Sequence, residues 1–140
     1  SNRLGALLLV APAPDFATEL MEPKFTAEQR ANMEKKGFFE EESAYSPDPV
    51  IITKKLIEDG RQNRVLEAGL DVGAPMLILQ GMQDPDVPYQ HAFRLMDCLA
   101  QDDVTVTFVK DGDHRLSRDQ DIDLLLRLCA QAADIILGAV

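Results

Sequence analysis

Asp84 and His114 are the side chains of this sequence whose types and positions best suit acid–base chemistry. Asp84 stands in Gly81-Met82-Gln83-Asp84-Pro85-Asp86-Val87-Pro88, directly after the apolar run Pro75 to Gln80 (PMLILQ). His114 stands in Lys110-Asp111-Gly112-Asp113-His114-Arg115, directly after Val104 to Val109 (VTVTFV). A carboxylate that holds the Nδ1 proton of an imidazole fixes its tautomer and stabilises the imidazolium formed during reaction. The other ring nitrogen can then take a proton from a hydroxyl nucleophile. Each residue alone has a plainer reading: Asp84 as a turn aspartate before Pro85, His114 as a surface loop histidine capped by Asp111 or Asp113. Asp86 is the second choice for the acid, because the same loop could present either carboxylate. Asp113 adjoins the histidine and is expected to face solvent. His91 falls off the apolar stripe of a helix and reads as a surface histidine, the weakest base candidate.

A nucleophile is harder to find. The serines are Ser1, Ser43, Ser46 and Ser117, and no G-x-S-x-G elbow surrounds any of them. That elbow exposes a serine on a strained strand-to-helix turn. Ser43 and Ser46 sit in a charged loop, and Ser117 with Gln120 reads as a capping box. Cys98 and Cys129 lie in helical patterns without metal-ligand or disulfide spacing, so both are expected to be small buried thiols. No metal and no cofactor is called for.

The elements that must position Asp84 and His114 follow from hydrophobic periodicity. Leu4 to Ala11 (LGALLLVA) is continuously apolar and closes at Pro12, as a strand buried on both faces of a parallel sheet does. Pro75 to Gln80 is a second such strand, and Val104 to Val109 a third, rich in β-branched residues. Between the second and third strands, Tyr89, Ala92, Phe93, Met96, Leu99 and Ala100 share one helical face. After the third, a helix is expected to bury Ile122, Leu125, Leu126, Cys129, Ala133 and Ile136. Asp15 to Leu70 is a charged excursion with two expected helices. One opens at the Thr26–Gln29 capping box and stops near Gly37. The other starts at Pro49 and runs through Ile52, Leu56 and Ile57 to Asp59-Gly60. Strand, excursion, strand, helix, strand, helix is an α/β order with parallel strands and right-handed crossovers. In such sheets ligands bind beyond the C-terminal strand ends, where Asp84 and His114 both stand.

Composition narrows the partners. The 140 residues carry a formal net charge of −10, which repels a phosphate backbone and makes nucleic acid an unsuitable partner. No apolar run approaches the roughly 20 residues of a membrane span.

Three segments in order, LLLVAPAPDF, LILQGMQDPDVP and VKDGDHRLS, resemble the α/β-hydrolase superfamily. Among its branches they are similar to the mitochondrial acyl-protein thioesterases and acyl-glucuronide esterases and their bacterial relatives. The chain order Ser, Asp, His is that of the superfamily. The resemblance implies that residues 1–140 are the C-terminal portion of one α/β-hydrolase domain, with a helical lid over residues 15–70. It implies that Asp84 is the triad acid and His114 the base, while the nucleophilic serine and the oxyanion hole belong to an N-terminal half outside this sequence. The implied activity is cleavage of carboxylic esters or thioesters of a small-molecule or acylated substrate, with these 140 residues inert by themselves. Phe16, Met21 and Phe25 become candidates for the acyl pocket, Phe16 first; Phe38, Phe39 and Tyr45 are further apolar lid residues. A non-catalytic interaction domain on the same fold is the alternative, as is dehalogenase or perhydrolase chemistry. The expected compartment is the cytoplasm, or the mitochondrial matrix in a eukaryote. An unpaired edge on the first strand would favour self-association.

Overall fold

The computed structural model describes residues 4–43, 46–100 and 103–138; Ser1 and Tyr45 lie outside them. The chain divides into two compact units, one made of Ser1–Pro14 with Val65–Val140, the other of Asp15–Arg64.

The first unit is built on a three-stranded parallel sheet of β1 (Leu7–Val10), β4 (Met76–Gly81) and β5 (Val104–Val109), in the order β1-β4-β5. Leu7 to Val10 lie opposite Met76 to Leu79, and Met76 to Gly81 opposite Val104 to Val109. All six residues of central β4 are buried. Successive side chains of a strand point to opposite faces, so β4 supplies two cores. Ile78 joins Leu66 and Leu95 of α3 (Gln90–Cys98) on one face, while Leu79 joins Leu116 and Leu128 of α4 (Asp119–Leu137) on the other. This is the expected parallel α/β layering, with the three strands in the expected places.

The helices bury less than their apolar patterns suggest. In α4 Leu128 is buried and Leu124 and Leu125 pack against it, but Ile122, Leu126, Cys129 and Ile136 are exposed. Three strands offer a face wide enough for only part of that helix. In α3 the buried residues are His91, Ala92 and Leu95. Phe93 and Met96 are exposed, and Tyr89 and Phe93 meet Phe108 of β5 through ring contacts. Neither cysteine is fully buried, contrary to the sequence reading. The partly buried Cys98 donates its thiol to Leu66 O.

The second unit is a small mixed module. A π-type turn (Ala17–Met21) and a 3-10 turn (Glu22–Lys24) lead to α1 (Ala27–Lys36), which has the expected Thr26–Gln29 capping box and a left-handed Gly37 at its end. The expected helix from Pro49 starts later. Val50–Thr53 is a strand, β3, paired antiparallel with β2 (Phe38–Glu41), and α2 spans Lys54–Gln62. Four consecutive residues Val-Ile-Ile-Thr are stiff at χ1 and favour the extended chain. The Phe39–Ile52 pair is buried, and the Thr53 hydroxyl accepts from Leu56 N–H to begin α2. Ala17, Met33, Phe39, Ile52 and Ile57 form this unit's core. Among the described residues no helix is long and apolar enough to cross a membrane.

Candidate active site

The parallel ladder continues past its last paired residues and sews two loops together. Met82 N–H donates to Val109 O, and Gln83 N–H donates to Gly112 O, both at 2.9 Å. The approach is so close that a Cβ on Gly81 would lie 2.5 Å from the carbonyl oxygens of both Gly112 and Asp113. Only glycine fits at that crossing. The first position of the G-x-x-D motif is therefore what lets the acid loop lie against the base loop.

Across this crossing Asp84 meets His114. The His114 Nδ1 to Asp84 Oδ2 distance is 2.9 Å. The Asp84 side chain is fully buried, while that of His114 is 37 % exposed. The other carboxylate oxygen, Oδ1, accepts from the backbone N–H groups of Asp86 (2.9 Å) and Val87 (2.8 Å). Gln80 Nε2 also donates to Oδ2, at 3.3 Å. Four donors thus converge on one carboxylate, which saturates its acceptor capacity. Among the described residues His114 Nε2 has no hydrogen-bond partner. An imidazole oriented from behind and open in front is the geometry of a positioned general base.

The base loop is held differently. Asp113 Oδ1 accepts from the N–H groups of Arg115 and Leu116. Leu116 takes a left-handed backbone at φ 44°, costly for a residue with a γ-branch, and its buried side chain joins the Leu79–Leu128 core. Arg118 closes the loop, donating to both oxygens of Asp111 and to both of Asp121. The Arg118 guanidinium holds the carboxyls of Asp111 and Asp121 below the usual carboxylate range, and the Arg118 pKa is raised in return. The cap of α4 is thus Arg118 with Asp121, not the Ser117–Gln120 pair read from the sequence.

The rival residues are placed as follows. Asp86 and Asp113 are exposed, and neither holds His114 Nδ1. The Asp86 carboxylate does come near: Asp84, Asp86 and His114 offer ligand atoms within 4.8 Å of one another. A cation there would have to displace hydrogen bonds already made to Asp84, so the group fits an orienting pair better than a metal centre. His91 is buried rather than on the surface, with Nε2 2.8 Å from Pro14 O. It anchors the chain segment that leaves β1. Met21 and Phe25 pack against the core of the second unit, and Phe25 meets the Phe39 ring edge-on at 4.9 Å. Phe16 is exposed and lines a hollow of about 180 Å³ with Ala17, Leu56, Gly60 and Asn63. The sequence reading passed over Gln80 and Leu116. A glutamine closing an otherwise apolar strand, PMLILQ, was the available signal for the first. Nothing local marks the second.

A parallel sheet flanked by helices, with an aspartate and a histidine meeting beyond the ends of adjacent strands, defines the class: this is part of an α/β-hydrolase fold. Residues 18–130 match the prolyl oligopeptidase family, and the chain belongs to that family. It is 31 % identical over 126 residues to palmitoyl-protein thioesterase ABHD10, mitochondrial, of Pongo abelii, an alignment covering 89 % of this chain and 41 % of that protein. The Homo sapiens protein of the same name is 30 % identical over the same shares. Among solved structures, a putative hydrolase from Agrobacterium vitis S4 superposes with a TM-score of 0.88 and 52 % identity, covering 91 % of this chain and 49 % of that one. Alpha/beta hydrolase domain-containing protein 10 from mouse gives 0.79 and 29 %, covering 93 % and 52 %. The chain spans 41 % of the length of these curated relatives.

Proposed function

We propose that this chain supplies the acid and the base of a serine hydrolase that cleaves carboxylic esters or thioesters. The observation that carries the reading is the 2.9 Å contact between the buried Asp84 carboxylate and Nδ1 of the part-exposed His114. In this mechanism Asp84 holds the Nδ1 proton, so Nε2 is the basic nitrogen. Nε2 takes the proton of a serine hydroxyl contributed by sequence outside these 140 residues, as that oxygen attacks the acyl carbonyl. The imidazolium then protonates the leaving alcohol or thiol. In the second half His114 takes a proton from water as that water attacks the acyl-enzyme. It then returns the proton to the serine oxygen as the acyl–oxygen bond breaks and the acid leaves. The 140 residues alone turn over no ester.

The names of the relatives favour a thioester with an acyl chain as the substrate class. Phe16, Met21 and Phe25 are the residues assigned to contact that chain, with the exposed Phe16 foremost. The compartment favoured is the cytoplasm, or the mitochondrial matrix in a eukaryotic cell; the curated relatives are named as mitochondrial proteins. A fluorophosphonate probe on the full-length protein tests the mechanism. Labelling should require His114, and a His114→Ala protein that still labels at the full rate would remove it from the base role.

A further inference from the structure

Gln80 is the last side chain of the buried strand β4 before Gly81 and is fully buried. It does not simply fill space. Its Nε2 lies 3.0 Å from Gly81 O, 3.1 Å from Val87 O and 3.3 Å from Asp84 Oδ2. One amide nitrogen with two hydrogens therefore spans the first and last residues of the acid loop and the carboxylate between them. Reversing the amide would aim Oε1 at three acceptors, so the hydrogen-bond pattern fixes its orientation. In that orientation Oε1 is buried with no hydrogen-bond partner among the described residues. A buried acceptor without a donor costs free energy, so it is the three contacts of Nε2 that favour this placement of the side chain.

We infer that Gln80 is a positioning residue for the catalytic pair, holding Asp84 Oδ2 in the plane and place where His114 Nδ1–H binds. The inference rests on the hydrolase reading above. Oδ1 is already fixed by two backbone N–H groups, but those leave the carboxylate free to tilt about that end. Gln80 removes the tilt at the oxygen that His114 uses. When the imidazolium forms, its Nδ1–H draws on Oδ2 more strongly, and an oxygen anchored by a second donor cannot follow the ring out of line.

The test is made in the full-length protein with p-nitrophenyl butyrate. Gln80→Met keeps the volume and removes both donors. It should lower kcat about tenfold, the size of one hydrogen bond to a charged group, and leave KM within about twofold. His114→Ala, run beside it, should abolish turnover. Full activity in His114→Ala would overturn the hydrolase reading itself. Inactivity there together with an unchanged kcat in Gln80→Met would overturn only the role of Gln80. A purely structural glutamine would lower stability and active fraction without a kcat loss per active site, counted by fluorophosphonate titration. Should Gln80→Met fail to fold, the unsubstituted protein still decides. Because both hydrogens of the Gln80 amide are held inside the loop, its side-chain NH2 protons should exchange slowly with solvent and give NOEs to Val87. NH2 protons that exchange as fast as those of a free amide would end the proposal.

Discussion

Asp84 is fixed by neutral donors: two backbone N–H groups, an amide and the imidazole, all on a carboxylate shut away from solvent. His114 stands on a loop that is fixed at its far end by charge, through Arg118 to Asp111 and Asp121, and by the buried Leu116. The acid therefore has a rigid seat made of hydrogen bonds within its own loop and strand, with no arginine or lysine paired to it among the described residues. The base has a seat that titrates and keeps its face open. The proposed reaction asks for that asymmetry, since the imidazole must exchange protons with substrate while the carboxylate only orients and stabilises it.

Removing either partner is the largest perturbation of the comparison. Asp84→Asn keeps the shape but turns the side chain's acceptor toward a donor role and favours the wrong imidazole tautomer. Both Asp84→Asn and His114→Ala should lower kcat in the full-length protein by about 10,000-fold with the fold intact. A loss below about tenfold in either would break the pairing. Next in size is the crossing that joins the two loops. Gly81→Ala places a methyl group 2.5 Å from two backbone oxygens, so the loops must part. We expect about 3 kcal/mol of destabilisation and loss of turnover beyond what the unfolded fraction explains. Chemical denaturation of the variant beside the parent measures the first, and active-site titration the second. Phe16→Ala is smaller. It should raise KM for long acyl thioesters more than for short ones, by about tenfold. An equal change for both would move Phe16 out of the acyl pocket.

The sequence made the sheet and the pair legible because both are local signals. Apolar runs closed by proline or glycine mark parallel strands, and the loops after them are where the topology puts chemistry. The faces of the helices were not legible, because periodicity says which residues share a face and not how much sheet there is to cover them. Ile122 and Leu126 are exposed for that reason, and His91 is buried because Pro14, 77 residues away, offers it an acceptor. The hairpin in Asp15–Arg64 was hidden by Pro49, which suits a helix start as well as a turn before a strand. The Arg118 cap was hidden too, since an arginine backbone N–H capped by an aspartate three residues on has no common sequence signature.

The smallest expected effect sharpens the contrast between neutral and charged seats. Arg118 lowers the pKa of Asp111 and Asp121 in the folded chain. The stability they contribute is therefore fully present above the unfolded carboxylate value, about 4, and is lost as the pH falls through the lowered folded values. Arg118→Met should thus be less stable than the parent at neutral pH, and the gap should close as the pH drops below about 4. The hydrogen bonds of Asp84 to backbone N–H groups do not involve Arg118, so the acid loop should stay protected in Arg118→Met at neutral pH while the base loop loses protection. Amide hydrogen exchange at Val87 and Leu116 separates the two. Equal deprotection at both sites would mean that the loops open together across Gly81, and that the charged clamp at Arg118 holds the acid as much as the base.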